Sequence, residues 1–297
     1  MSETKQLQTG FADVNGTRLY YEVSGIGHPL VLIHGGLVNR RLWDAQFDVF
    51  AQRYKVIRFD VRSFGDSAPI TPETPPYSLE EDLYSLLKFL GIEKTYVLGL
   101  SMGGAMAIDF TLMYPEVVDA LIPVAMGLSG FEPGEADKRE WDEVNEALKN
   151  GDVARAVELT LRTWTDGPLR TPDQVNPTVR EKVRAMTTGN YERPEDENAT
   201  PPGHLEPPAI SRLSEIHVPT LIIAGDQDVR DILKIADILE KGIPGAKKVI
   251  IPGAAHHLNM EKPEEFNQIV LDFLGSLNNN ISVSYTHLRA HETGRNL

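Results

Sequence analysis

The chain of 297 residues contains no cysteine. This absence excludes disulfide bonds, zinc sites built from thiolates, and cysteine nucleophiles. Positive charge is also scarce, because 29 Lys and Arg residues stand against 43 Asp and Glu residues, which gives a net charge of −14. Nucleic acids and anionic membrane surfaces both favour basic patches, so we expect neither as a partner.

Long apolar segments are missing as well. No stretch approaches the roughly 18 apolar residues of a membrane span. The N-terminal segment MSETKQLQTGFADVNG lacks the basic start and apolar centre of a secretory signal, so we expect a cytoplasmic protein. With 41% hydrophobic and 24% charged residues, the composition is that of an ordinary globular protein, and the length suits one large domain with an insertion.

Strand-like and helix-like patterns alternate along most of the chain. The segment FADVNGTRLYYEV predicts a β-hairpin that turns at Asn15 and Gly16. The apolar runs that follow are too continuous for strands exposed on one face: PLVLIHG, YKVIRFD, KTYVLGL, VDALIPVAM, PTLIIAG and KKVIIPG. Amphipathic segments separate them, and in one of these Ser78 and Glu81 match a capping box. Buried strands alternating with helices predict an α/β protein with a mostly parallel sheet covered on both faces.

The alternation stops between residues 127 and 216. The segment WDEVNEALKNGDVARAVELTLRTW has helical periodicity with no strand-like run near it. The later segment ERPEDENATPPGHLEPPAI is rich in proline and acidic residues, which is typical of a loop. We therefore predict an α/β core at 1–126 and 217–281 and an inserted helical lid at 127–216.

The end of the chain has a different character. The segment ISVSYTHLRAHETGRNL shows neither helical periodicity nor a coherent apolar face. Part of it, VSYTHLRAHET, resembles one reading frame of a transposase-type sequencing adapter, of the kind that contaminates assembled environmental DNA. We predict a non-native tail at 282–297 and leave its histidines out of the functional hypothesis.

The segment Gly99-Leu100-Ser101-Met102-Gly103 matches the pattern G-x-S-x-G. A random chain of this composition would contain the pattern about 0.08 times. It lies between a strand-like run and a helix-like run, where a nucleophile elbow raises its serine on a tight turn. The alternative is that these small residues only allow close packing at the start of a buried helix.

A serine nucleophile needs a base, and the base needs an orienting acid. Asp226 and Asp228 follow the run PTLIIAG, and His256 and His257 follow the run KKVIIPG. The carboxyl ends of parallel strands are where α/β sheets place their sites. The order serine, acid, histidine therefore fits a hydrolytic site, without choosing between the members of each pair.

Five segments together resemble the lidded α/β-hydrolases, which include carboxylesterases, enol-lactonases and C–C bond hydrolases. They are LIHGG at 32–36, FDVRSFGDSA at 59–68, GLSMGG at 99–104, AGDQD at 224–228 and GAAHHLNMEKPEEF at 253–266. The resemblance covers nearly everything from Phe11 to Leu277. It implies the α/β-hydrolase fold, with a mostly parallel eight-stranded sheet flanked by helices and an inserted helical lid.

The resemblance also implies site residues. In such families the acid commonly lies three residues after the glycine that ends its strand, which selects Asp228. The histidine usually precedes a glutamate by five positions, which selects His256 before Glu261. The implied oxyanion-hole donors are the backbone N–H groups of Gly36 and Met102.

Substrate-binding residues are predicted at four further positions: Trp43, Met126, Trp164 and His257. Trp141 is a further candidate for the pocket or lid, although aromatic and methionine residues at helical spacing also suit a core. Two positions depart from the family pattern, since Ser63 and Ala255 replace the usual glycine. These changes leave the three catalytic residues intact, and they bear on substrate choice more than on chemistry.

These patterns predict a serine hydrolase that cleaves carboxylic esters or lactones through an acyl-enzyme on Ser101, with His256 as base and Asp228 as orienting acid. One alternative is a C–C bond hydrolase of ring-cleavage products, and another is a lidded ligand sensor. No cofactor and no metal is implied. The expected partner is a small-molecule ester or lactone, and the expected state is a monomer or homodimer.

Overall fold

The computed structural model describes residues 7–193 and 201–292. The strands are β1 (Gln8–Val14), β2 (Thr17–Ser24), β3 (Pro29–Ile33), β4 (Lys55–Phe59), β5 (Thr95–Leu100), β6 (Val118–Val124), β7 (Leu221–Gly225) and β8 (Lys247–Ile251). They form one eight-stranded sheet in the order β1-β2-β4-β3-β5-β6-β7-β8. Strand β2 is antiparallel to both of its neighbours, and the pairs from β4 to β8 are parallel. This architecture confirms the predicted fold class.

The N-terminal hairpin has the turn that its sequence predicts. Val14 pairs with Thr17, so two residues connect the strands. Both of them have a positive φ, 46° at Asn15 and 68° at Gly16. This left-handed conformation matches the twist of the two strands, and asparagine and glycine tolerate it best. The hairpin brings β2 to the edge of β4 and starts the sheet.

The helices are α1 (Asp44–Phe50), α2 (Leu79–Phe89), α3 (Met102–Met113), α4 (Glu135–Lys149), α5 (Val153–Thr160), α6 (Pro177–Tyr191), α7 (Arg230–Gly242), α8 (Leu258–Glu261) and α9 (Pro263–Glu292). Contacts join α1 to α9 and α2 to α3, and α7 packs on β7. The predicted cap is present, because the Ser78 side chain accepts a hydrogen bond from the Glu81 N–H at the start of α2.

Burial follows position in the sheet. Every residue of the central strand β5 is buried. Strand β8 lies at the sheet edge, and of its five residues only Ile251 is buried. Its sequence KKVII therefore predicts more burial than the strand has, because an edge strand lacks a neighbour on one side.

The region between β6 and β7 contains helices α4, α5 and α6, with no strand among its described residues. A π-helical turn at Leu161–Asp166 continues α5 directly. Residues 194–200, part of the predicted proline-rich loop, lie outside the described residues. We call residues 127–193 and 201–216 the helical segment; they lie within the range that the sequence predicts as a lid.

Helix α9 extends further than the sequence predicted, since it runs to Glu292 and includes residues 282–292 of the predicted tail. Periodicity failed to indicate this helix because the tail residues carry no repeating apolar face. Residues 293–297 of that tail and the N-terminal residues 1–6 lie outside the described residues. None of the helices in the described part of the chain is long and apolar enough to cross a membrane.

Candidate active site

Ser101 occupies a tight turn between β5 and α3, with φ 57° and ψ −116°. A positive φ is strained in a residue other than glycine, and such strain collects at functional sites. Gly99 and Gly103 make the turn sterically feasible. A Cβ at Gly99 would collide with the carbonyl of Gly103, and a Cβ at Gly103 would collide with the carbonyl of Ile33. Both glycines of the G-x-S-x-G pattern are therefore required by backbone contacts.

The loop after β3 packs beside this turn. A Cβ at Gly36 would lie 3.9 Å from the Cβ of Met102, so the two predicted oxyanion donors are neighbours. The side chain of His34 connects this loop to the residues after β4. Its Nε2 accepts a hydrogen bond from the Val61 N–H at 3.0 Å, so its Nδ1–H donates to the Gly35 carbonyl at 2.7 Å. Burial lowers the pKa of His34 and so favours the neutral ring that these two hydrogen bonds require.

Asp228 and His256 meet at the carboxyl ends of β7 and β8. His256 Nδ1 lies 2.9 Å from Asp228 Oδ2, and both side chains are buried. The second carboxylate oxygen, Oδ1, accepts a hydrogen bond from the Val229 N–H at 2.8 Å. With Nδ1–H donating to the carboxylate, the lone pair of His256 is on Nε2. The ring of Trp164 lies 4.6 Å from the His256 ring, centroid to centroid.

The neighbouring residue of each pair has a different environment. Asp226 Oδ1 accepts a hydrogen bond from the Gly253 N–H at 2.7 Å, and so joins the ends of β7 and β8. His257 is buried, and its Nδ1 lies 3.2 Å from Thr165 Oγ1. Burial, aided by the adjacent His256, lowers the pKa of His257 to about 3. His257 is therefore neutral at ordinary pH.

A cavity of about 210 Å³ lies over the turn at Ser101. Six residues that the sequence singled out form part of its wall: Gly36, Ser101, Met102, Trp164, His256 and His257. Asp228 is hydrogen-bonded to His256 without being part of that wall. The structure thus brings seven of the nine predicted site residues together.

The other two predicted substrate-binding residues lie elsewhere. Trp43 is fully buried, and its ring lies 6.2 Å from the ring of Phe266 under α9. Met126 is fully buried against Gly104, at which an added Cβ would lie 2.6 Å from the Met126 Cβ. Trp43 therefore packs against α9 and Met126 packs against α3. The prediction that these two residues bind substrate is corrected, because both side chains belong to the core.

The rest of the cavity wall consists of Leu37, Val38, Trp141, Thr160, Val183 and Thr187. Of these residues the sequence indicated only Trp141, as a candidate for the pocket or lid. Leu37 and Val38 directly follow the LIHGG segment, which is a usable sequence signal. The others belong to α4, α5 and α6, and periodicity does not indicate which residues of a distant helix reach a cavity.

A second, larger cavity of about 520 Å³ adjoins the first. Trp141 and Trp164 contribute to the walls of both cavities, and their rings lie 6.2 Å apart. The second cavity is lined mainly by apolar side chains, including Leu128, Phe131 and Ile232. The tryptophan pair therefore lies between the cavity at Ser101 and the larger apolar cavity.

An ion pair connects the helical segment to the loop that carries His256. Arg170 donates to both carboxylate oxygens of Glu261, at 2.6 and 3.1 Å, and to the Gly253 carbonyl at 3.0 Å. Glu261 also accepts a hydrogen bond from the Ala255 N–H at 2.8 Å. The sequence identified Glu261 only as a family marker and missed Arg170, because nothing local to residue 170 indicates a partner 91 positions away.

Known proteins resemble this chain over most of its length. A family model described as the alpha/beta hydrolase fold matches residues 28–263. The 2-hydroxy-6-oxononadienedioate/2-hydroxy-6-oxononatrienedioate hydrolase of Paraburkholderia phymatum is 31% identical over 280 residues, which cover 87% of this chain and 91% of that protein.

Solved structures show the same fold. The enol-lactonase from Burkholderia xenovorans LB400 matches with a TM-score of 0.72 at 23% identity, covering 90% of this chain and 100% of that one. A thermophilic esterase from Thermogutta terrifontis, solved with malate bound, matches with a TM-score of 0.69 at 25% identity, covering 91% and 98%. The chain therefore belongs to the α/β-hydrolase family, and it is a hydrolase.

Proposed function

We propose that the chain is a serine hydrolase that cleaves carboxylic esters or lactones through an acyl-enzyme on Ser101. One observation carries the proposal: Ser101 and His256 share the wall of one cavity, and Asp228 is hydrogen-bonded to Nδ1 of His256. A serine hydroxyl is a weak nucleophile, and this arrangement supplies the base and the orienting acid that it needs.

In the proposed reaction, Ser101 Oγ attacks the ester carbonyl while His256 Nε2 takes the hydroxyl proton. The negative charge moves to the carbonyl oxygen, where the N–H groups of Gly36 and Met102 stabilise it. The positive end of the α3 dipole adds to this stabilisation, since Ser101 precedes the first residue of α3. The ester C–O bond then breaks, and His256 returns the proton to the leaving oxygen.

The acyl group is released in a second, similar step. Water attacks the acyl carbon while His256 takes its proton, and the Ser101 oxygen recovers that proton when its bond to carbon breaks. Throughout both steps Asp228 keeps the His256 ring in the tautomer whose Nε2 accepts, and it stabilises the ring when it is protonated. For a lactone the leaving oxygen stays attached to the acyl group.

The cavity wall favours an uncharged substrate. Among the described residues that line it there is no Lys, Arg, Asp or Glu, and His257 is neutral. Bringing a carboxylate into such a cavity without a cation is costly. An ester or lactone without a second charge suits this environment better than the dianion named for the Paraburkholderia relative.

That relative supports a second candidate, hydrolysis of a C–C bond in a ring-cleavage product. The relative is 31% identical to this chain. In a 2-hydroxy-6-oxo acid, the bond beside the keto group joins two carbon atoms, whereas the corresponding bond of an ester joins carbon to oxygen. Ser101, His256 and Asp228 would take the same roles in that reaction. The substrate range of the enzyme separates the two candidates.

The experiment is a panel of p-nitrophenyl esters, alkyl esters, lactones and vinylogous diketones, assayed with wild type and with Ser101→Ala. We expect multiple turnovers on esters or lactones and a loss of kcat of about 10⁴-fold or more in Ser101→Ala. Met102→Ala is the matched control, and it should retain most activity because its backbone N–H remains.

Three results would contradict the proposal. Undiminished ester hydrolysis by Ser101→Ala would rule out the nucleophile. Activity confined to the diketones would favour the C–C bond hydrolase. A single slow turnover that changes binding to a protein through the helical segment would favour the ligand sensor.

A further inference from the structure

We propose that Thr187 is a specificity-determining residue, whose hydroxyl binds a neutral oxygen of the substrate outside the ester group that reacts. This inference rests on the proposed function, because it concerns the same cavity. The proposal narrows the substrate class to esters or lactones that carry a hydroxyl, keto or ether oxygen in the part of the molecule that contacts α6.

The Thr187 hydroxyl is buried without a partner. Thr187 lies on α6 with no exposed surface, and its Oγ1 has no hydrogen-bond partner within the described part of the chain. The same residue forms part of the wall of the cavity that contains Ser101 and His256. Buried hydroxyl groups nearly always have a partner, so an unpaired one at a cavity wall indicates that the partner comes from within the cavity.

The other threonine of this wall and His257 already have partners. Thr160 Oγ1 lies 2.9 Å from the Ala156 carbonyl and 2.8 Å from Tyr191 Oη. His257 Nδ1 lies 3.2 Å from Thr165 Oγ1. His256 and Ser101 are assigned to the reaction itself. Thr187 is left as the wall hydroxyl available to the bound molecule.

The surroundings of Thr187 supply no substitute partner. Leu37, Val38 and Val183 belong to the same wall, and their side chains neither donate nor accept hydrogen bonds. A substrate satisfies the hydroxyl only if it places an oxygen beside it.

This requirement favours one substrate over its closest analogue. An oxygen-bearing ester pairs with Thr187, whereas the matched hydrocarbon ester leaves the hydroxyl unpaired in a dry cavity. Sites built to bind a polar group reject analogues that lack it more strongly than they distinguish one methylene. The hydroxyl both donates and accepts, so carbonyl, ether and hydroxyl oxygens all qualify, and carboxylates are disfavoured for lack of a cation.

The experiment crosses enzyme variants with matched esters. The acyl series is methyl pentanoate with its 3-hydroxy, 3-oxo and 4-oxo derivatives. The alcohol series is propyl butanoate with 2-hydroxyethyl and 2-methoxyethyl butanoate. Acid release gives kcat/KM for wild type, Thr187→Val and Thr160→Val. Valine keeps the shape of threonine and removes only the hydroxyl.

We expect wild type to prefer at least one oxygen-bearing ester over its parent by about 10-fold or more in kcat/KM. Thr187→Val should reduce that ratio by about 10- to 100-fold. Thr160→Val removes a hydroxyl that is already paired within the protein, so it should leave the ratio unchanged. Unfolding midpoints of both variants establish that they are folded.

The inference is overturned if wild type shows no preference within either series, or if Thr187→Val changes oxygen-bearing and parent esters equally. Failure of the proposed function gives a different result, namely ester hydrolysis that Ser101→Ala leaves intact, or no hydrolysis by wild type of any ester or lactone tested. If Ser101→Ala abolishes ester hydrolysis but Thr187→Val keeps the wild-type preference for oxygen-bearing esters, only the role of Thr187 is overturned.

Discussion

Adjacent residues of the same type have separate surroundings in this site. Asp228 is hydrogen-bonded to His256, whereas Asp226, two positions earlier, accepts a hydrogen bond from the Gly253 N–H.

The backbone at Ser63 has a conformation that is unusual for serine. Its φ is 68°, which explains the glycine usual in relatives, and its hydroxyl accepts a hydrogen bond from the Ile70 N–H at 2.8 Å. This bond offsets part of the strain that serine meets there.

The contrast between the two aspartates leads to a prediction. Asp228→Asn should lower kcat by about 10⁴-fold, because an amide partner favours the wrong tautomer of His256. Asp226→Asn keeps an acceptor oxygen for the Gly253 N–H and is the matched control, with an expected change below about 10-fold. Steady-state kinetics on p-nitrophenyl butanoate measures both. A larger loss in Asp226→Asn would reverse the proposed roles.

At the scale of elements, the helical segment and the loop after β8 are joined by polar bonds. The main-chain N–H of His256 donates to the Trp164 carbonyl at 3.2 Å. Arg170 reaches Glu261 from the same segment, and the two side chains are only 10% and 6% exposed. The loop that carries His256 is therefore held by the segment that also supplies five of the twelve residues of the cavity wall.

Replacing Arg170 tests this connection. Arg170→Met leaves the Glu261 carboxylate buried without its cation, which should lower the free energy of unfolding by about 3–5 kcal/mol. Arg212→Met is the control, since Arg212 pairs with the more exposed Glu215 and should cost at most about 1 kcal/mol. Urea unfolding measures both variants. The double variant Arg170→Met/Glu261→Gln should recover part of the loss, and no recovery would contradict the ion-pair explanation.

At the scale of the whole molecule, one carboxyl group gives the stability a distinctive pH dependence. Burial raises the pKa of Glu80 to about 7, and the nearby carboxylates of Asp109 and Asp82 act in the same direction. In the unfolded chain this group loses its proton near the ordinary pKa of 4.5. Between these two values the folded protein holds a proton that the unfolded chain has released, so stability falls as pH rises.

Glu80→Gln should remove this contribution. We expect the free energy of unfolding of the variant to increase relative to that of wild type as pH rises from 5 to 7, and the difference to level off above about 7. Urea unfolding of both proteins at pH 5, 6, 7 and 8 measures the difference. The highly negative net charge acts on both proteins alike, so it cancels. A difference that does not vary with pH would contradict the assigned role of Glu80.

The sequence by itself determined the features that depend on nearby residues. The Asn15-Gly16 turn, the Ser78 cap and the strand–turn–helix at Ser101 each follow from backbone preferences within a few positions. The alternation of apolar runs with amphipathic segments was enough for the mostly parallel sheet. The choice of Asp228 over Asp226 came from family resemblance, because both residues follow the same strand at similar spacing.

Only the tertiary structure decided what surrounds the site. It placed Trp43 and Met126 in the core, and brought Thr187 to the cavity wall. It also paired Arg170 with Glu261 across 91 positions. The physical reason is common to all of these. Periodicity indicates which face of a helix is apolar, whereas the neighbour that covers each side chain depends on how distant elements pack together.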